Sequence, residues 1–296
     1  MDAWRVLNFP LSTYSVCIAP PRVTGHVSSA ANAFFGSLMS LTAWDILAQQ
    51  AIYLAQVPLF ATYFAIDLDY SYDLDLEADV IRAAHVYLIH PVNLIFQDVY
   101  PLFNIRCKSE VSWIQGGTYS RLDMHWQYHD VVFAVLEFKR PNSISISDWL
   151  GAIAGEGPVV RGGANIARQL KRYAYHARTP YVGVLDWVFL VLLELGGNMA
   201  EWIDYQGDPS ATPAEFAWLG QNDSMRMAIF CFLMGGSAME AFCWVIIATQ
   251  NDRCQRSSDC HSTAVCLCIY RYTKSHNFCA GSYHTIRNRI FQEKVI

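Results

Sequence analysis

The run Val131–Phe138 constrains the fold more than any other stretch. Eight consecutive residues (Val-Val-Phe-Ala-Val-Leu-Glu-Phe) are almost all β-branched, aromatic or aliphatic, and Lys139-Arg140-Pro141 stops them. Length and composition predict a strand buried on both faces, which requires neighbours on either side and a layer above and below. Within that strand, side chains two apart point the same way. Glu137 and Lys139 therefore share one face, while Leu136 and Phe138 enter the core from the other. Two charges on an otherwise apolar strand are costly to bury without a partner or a task.

The chain around this strand has enough apolar material to make a core. Its 296 residues are 53% hydrophobic, 14% aromatic and 16% charged, against about a quarter charged in average usage. Ile46–Ile66 and Met227–Met239 are uncharged. Gln49, Gln50, Gln56 and Pro58 interrupt the first and Gly235-Gly236 the second, so both are expected as buried segments rather than membrane spans. No secretory leader is expected, because Pro10 follows Asp2 and Arg5 without an apolar run. Of nine cysteines only Cys17 and Cys107 precede residue 200. That is no disulfide framework, and an intracellular location, cytoplasm or nucleus, is expected.

The flanking pattern alternates helix and strand. Residues 1–66 read as a leader followed by helices, Ala30–Leu54 being helix-prone. Glu77–Asp98 is an amphipathic helix that Pro91 kinks or splits near His90. Val111, Trp113 and Gly116-Gly117 suggest a strand and turn, and Asp123 falls on the neighbouring strand of a hairpin with Val131–Phe138. Asn165–Ala177 carries Ile166, Leu170, Tyr173 and Ala177 on one face. Tyr181–Leu195 supplies two short strands around Asp186, and Ser224–Ala248 a last apolar helix. The expected fold is α/β, a mixed central sheet flanked by helices, spanning residues 67–250. Residues 251–296 read as a tail of uncertain order.

Asp123, Glu137 and the carbonyl of Phe138 make a set of hard oxygen donors suited to Mg²⁺, with Mn²⁺ as a substitute. Such an ion would polarise a phosphodiester and acidify water, and Lys139 would position that water and offset charge on the phosphate. This pattern resembles the PD-(D/E)XK, or restriction-endonuclease-like, nuclease superfamily, in particular a group of uncharacterised fungal proteins. The resemblance covers roughly Glu77–Ala248, with Leu122 standing where proline often precedes the acid. It implies Asp123, Glu137 and Lys139 as motif residues, Glu77 as the acid of the first core helix, and Gln169 as the polar residue on the helix after the motif strand. It further implies metal-dependent hydrolysis of DNA or RNA. The net charge of −5 argues against a generally sticky binder. The local run Arg168, Lys171 and Arg172 is the expected nucleic-acid grip.

Ordinary roles stand beside these. Glu137 and Lys139 would also suit the wet face of an edge strand, Glu77 a first helical turn, Gln169 a structural amide, and the three cations a solvated helix face. His125, His129 and Asp130 form an acid/base set in composition only. Cys254, Cys260, His261, Cys266, Cys268, His276 and Cys279 lack the paired spacing of structural zinc sites. The main alternative function is an inactive interaction module, with protein partners, that keeps the nuclease-like fold.

Overall fold

The computed structural model describes residues 3–11, 16–18, 38, 40–48, 72–99, 105–115, 118–128, 130–196 and 213–237. The chain divides into two compact units, Met1–Ser237 and Ala238–Ile296. The second, which holds the cysteine-rich cluster, lies outside the described residues, as does Ile46–Ile66 beyond Ala48.

In chain order the elements are α1 (Ala3–Asn8), β1 (Val16–Ile18), β2 (Ser40–Ala43), β3 (Tyr72–Leu74), α2 (Glu77–Ala84) and α3 (His90–Val99). Then come β4 (Ile105–Gln115), β5 (Thr118–Tyr128), β6 (Val131–Phe138), α4 (Leu150–Ala154), α5 (Arg161–Ala177), β7 (Tyr181–Leu185), β8 (Phe189–Leu195) and β9 (Pro213–Gly220). Residues 225–237 are helical. The main sheet is mixed, with seven strands in the order β2-β9-β8-β7-β6-β5-β4; β1 and β3 pair separately. The α/β layout with a mixed sheet and helices is thus as expected.

β6 sits third from one edge, between antiparallel β5 and parallel β7. The alternation of β7 separates the two helical layers. Val182 and Val184 join Ile166, Leu170 and Tyr173 of α5 in one core. Tyr181 meets Phe232 of the last helix, and Phe133 of β6 meets Phe96 of α3. A one-residue register shift opposite Trp126/Gln127 lets Phe133 face that second layer. Glu137, paired with Val184, lies on the α5 side.

The capping and turn chemistry is local. Asp79 accepts the backbone N–H of Leu76 at 2.9 Å and starts α2. α2 and α3 are joined by a π-helical turn, His85–Ile89, where the kink was expected. Pro91 has no N–H to give to the Tyr87 carbonyl one turn back, and the buried guanidinium of Arg226 donates to that oxygen instead. The same side chain donates to the carbonyls of Val6 (3.0 Å) and Phe9 (3.1 Å). At the start of α5, Asp148 accepts the N–H of Gly163 at 3.0 Å. A Cβ on Gly163 would lie 2.8 Å from that of Asp148, so only glycine allows the approach. α5 ends at Arg178, whose φ of 57° is left-handed.

Three expectations need correction. Ser40–Ala43, inside the helix-prone segment, is an edge strand parallel to β9, with Leu41 in the core. Four residues are too few to show a period in sequence. β9 was not anticipated, because Glu215 breaks its apolar run and Pro213 and Gly220 bound it closely. The boundary expected near residue 66 falls inside the first unit, because β2 closes the sheet and Arg226 holds the α1 region. Residues 227–234 are buried in the fold, and no helix among the described residues is long and apolar enough to cross a membrane.

Candidate functional site

The site forms where β5 and β6 part. Their ladder runs from Tyr128↔Val131 to Met124↔Leu136. One residue further, the Asp123 side chain replaces the ladder and accepts the N–H of Phe138 through Oδ2 at 2.9 Å. This bond fixes the Asp123 carboxylate against the end of β6. It also places Asp123 beside Glu137, since the next cross-strand pair shares a face.

Glu137 is only 3% exposed. Its Oε1 accepts from Gln169 Nε2 at 2.6 Å and from the Lys139 ammonium. Its Oε2 is buried and accepts no hydrogen bond, and it lies close enough to Asp123 for the two carboxyl groups to share a proton. Leu136 and Phe138 are buried on the opposite face, so β6 presents its charges as alternation requires. Gln169 reaches Glu137 because it lies one turn from Ile166 and Tyr173, on the face of α5 that packs on the sheet. Its amide nitrogen also donates to the Tyr173 hydroxyl at 2.6 Å, which uses both of its protons. Glu77, the first residue of α2, is near enough for its charge to act on Lys139, and α2 packs against β6.

Burial pushes the Glu137 carboxyl up to about 8; the Lys139 charge opposes the rise and the Asp123 charge adds to it. Lys139 moves the other way for a cation in a low-dielectric place. Burial pulls its pKa down, but Glu137, Glu77 and Asp123 together hold it above its ordinary value. Tyr173 is raised by burial and then by Glu137. At neutral pH the cluster therefore keeps a proton on Glu137 and a charged Lys139.

The donor set fits a hard divalent ion. Glu137 Oε2 is an unsatisfied buried oxygen, Asp123 is fixed next to it, and the Phe138 carbonyl lies between Glu137 and Lys139 in the chain. No group of three or more His, Cys, Asp or Glu side chains forms a cage among the described residues. Two carboxylates suffice for Mg²⁺, which keeps several waters and takes the rest of its shell from substrate phosphate.

Asp123, Glu137, Lys139 and Gln169 are brought together, with Glu77 within electrostatic reach. The expected grip is not assembled. Lys171 is 1% exposed and Arg172 8%, and the Arg172 guanidinium lies over the Tyr173 ring, 5.3 Å from its centroid. α5 is covered over more than one face, so a three-and-four spacing of cations does not mark its wet side here. Arg168 alone stays partly exposed, 3.3 Å from Asn165 Oδ1. His125 is buried against Gln127, and burial lowers its pKa. Asp130 is at the far end of the β5–β6 ladder from Asp123, and His129 is outside the described residues.

Two residues carry more than the sequence suggested. Tyr173, expected only as core, fixes the Gln169 amide. Asp186 is fully buried, and its carboxylate accepts the N–H groups of Ile144 (2.8 Å), Val188 (3.0 Å) and Phe189 (2.8 Å). It thereby pins the loop that follows Lys139 to the β7–β8 turn. The one sequence sign of this was a lone acid inside an apolar run. Comparisons with protein-family models, with curated proteins and with solved structures found no match, so what the site does is read from its own geometry.

Proposed function

We propose that this chain hydrolyses phosphodiester bonds in nucleic acid with a divalent metal ion, using a restriction-endonuclease-like core of the PD-(D/E)XK type. The observation that carries the reading is the Glu137 carboxylate, buried with one oxygen held by Gln169 and Lys139 and the other accepting no hydrogen bond beside Asp123. A fold built for stability alone satisfies its buried acceptors. An unsatisfied one, next to a second acid, is a place where binding energy remains to be gained.

Each residue then has a distinct task. Asp123, Glu137 and the Phe138 carbonyl would hold a divalent ion, which would supply a Lewis acid to polarise the phosphodiester and lower the pKa of water. Gln169 and Tyr173 keep Glu137 in one rotamer. Lys139, held charged by its acidic neighbours, serves as a fixed cation that orients water and offsets charge growing on the phosphate. Glu77 supports that charge from α2. Asp186 keeps the strand end from which Lys139 projects in place.

The test is cleavage of labelled single- and double-stranded DNA and RNA with Mg²⁺ or Mn²⁺, for the wild type and Glu137→Gln. Metal-dependent cleavage that falls by roughly a hundredfold or more in the variant is expected, a loss of the size seen when one stabilising group is removed. A second reading, an inactive interaction module on the same fold, draws support from the burial of Lys171 and Arg172 and from the net charge of −5. Absence of metal-dependent cleavage, together with absence of Mg²⁺ binding, would favour it.

A further inference from the structure

With Lys171 and Arg172 buried, a substrate must be held by other cations, and the edge of the sheet supplies them. β4 is the edge strand beyond β5, and Lys108 and Arg106 on it are both exposed. The register sets Lys108 opposite His125 and Arg106 opposite Gln127. His125 and Gln127 follow Asp123 at two-residue steps, so both cations fall on the face of the hairpin that carries Asp123. Lys108 is the diagonal cross-strand neighbour of Asp123, roughly 7–8 Å away at the backbone. Arg106 lies roughly 7 Å further along the same strand. The field of Lys108 reaches inward far enough to act on His125. Neither cation is engaged in an ion pair among the described residues, whereas Arg82 pairs with Asp79 and Lys139 with Glu137.

We infer that Lys108 and Arg106 form a track for the phosphate backbone of one nucleic-acid strand, leading along β4 to the Asp123–Glu137 centre. The inference rests on the nuclease reading for its substrate class and extends it to where and how the strand is held. The cations stand in single file, two residues apart on one edge strand, and α5 lies over β6 and β7 further inboard. One row of charges follows one backbone; a duplex would need a second row for its other strand. The occupant that fits is therefore a single strand.

The experiment is fluorescence anisotropy of a labelled oligothymidylate of about twenty nucleotides, with the full chain in EDTA, over a range of salt. Metal-free conditions separate holding the strand from cutting it. The double variant Arg106→Ala/Lys108→Ala is expected to bind roughly tenfold more weakly at about 0.1 M salt. Its salt slope should be shallower by about 1.4, since each phosphate neutralised on a single strand contributes about 0.7. A duplex of equal length should bind the wild type more weakly than the single strand. An unchanged slope in the variant overturns the track even if the wild type cleaves nucleic acid with Mg²⁺. Duplex binding as tight as single-strand binding, lost to the same degree, overturns the single-strand assignment. A variant that self-associates while binding normally overturns it too, and assigns both charges to guarding the sheet edge. A flattened slope in a protein that never cleaves would instead leave the track standing and remove the hydrolytic reading.

Discussion

Two buried carboxylates at the ends of neighbouring parallel strands are treated in opposite ways. Asp186 follows β7, and both of its oxygens accept backbone N–H groups. Glu137 is the last but one residue of β6, with one oxygen accepting two hydrogen bonds and the other accepting none beside Asp123. Burial raises both, Asp186 to about 6 against the donated N–H bonds and Glu137 to about 8. The contrast separates an acid that completes the fold from one that the fold leaves incomplete. Satisfied, a buried charge holds two loops together; unsatisfied, it waits for a cation.

Removing each acid should therefore have unequal cost. Asp186→Ala strands three backbone N–H donors, that of Ile144 buried and those of Val188 and Phe189 partly so, and a buried donor left unpaired costs about 1–3 kcal/mol. A loss of roughly 3 kcal/mol or more in denaturant unfolding is expected. Glu137→Gln should be neutral or stabilising in the absence of metal, because the amide is buried uncharged without the proton that folding otherwise makes Glu137 take up at neutral pH. Equal losses for the two variants would make Glu137 a structural acid and break the comparison.

The proton on Glu137 gives a sharper form. Metal must displace it, so Mg²⁺ affinity, followed by calorimetry, should rise about tenfold per pH unit up to about pH 8 and level off above. Stability of the metal-free protein should move in the opposite sense. Between the ordinary carboxylate pKa of 4.5 and about 8 the folded chain holds a proton that the unfolded chain has released. Raising pH through that window therefore lowers stability, by up to about 1.4 kcal/mol per unit. Asp186 acts with the same sign, but its window closes at about pH 6. A slope between pH 6.5 and 8 that survives in Glu137→Gln would assign the proton elsewhere.

The smallest effect is expected from Tyr173→Phe. It removes the acceptor for one Gln169 proton and leaves the ring in place, so Glu137 loses only rotational restraint. A severalfold drop in cleavage rate with an unchanged metal affinity is the expected result, on the scale of one modest hydrogen bond. A Tyr173→Phe variant as impaired as Glu137→Gln would place the hydroxyl among the reacting groups.

How much of this was legible in the amino-acid sequence depended on whether the cause was local. β6 was readable because its apolar run is uninterrupted, and Glu137 and Lys139 could be put on one face because strand alternation is strict. The interruption before His90, a π-helical turn, falls where the missing N–H of Pro91 was expected to disturb the helix. Gln169 could be turned inward from its distance to Ile166 and Tyr173. What covers a helix is a tertiary matter, and there the sequence misled: Lys171 and Arg172 have the spacing of a wet face and are enclosed. The hydroxyl of Tyr173 took on its role through Gln169 one turn back, and the carboxylate of Asp186 joined two loops only through Ile144, 42 residues away. β2 and β9 are set by pairing with each other, which no short window of sequence contains.

The carbonyl that Pro91 releases has a consequence for how the chain is made. Arg226 closes on oxygens of Val6, Phe9 and Tyr87, the first of them 220 residues earlier. During synthesis the chain emerges from its first end, and nothing can fasten those early residues in this way until position 226 has left the ribosome. The clasp is thus a late event, joining residues made early to one made 220 residues later. A chain cut short of residue 226 would leave the carbonyls of Val6, Phe9 and Tyr87 without that donor.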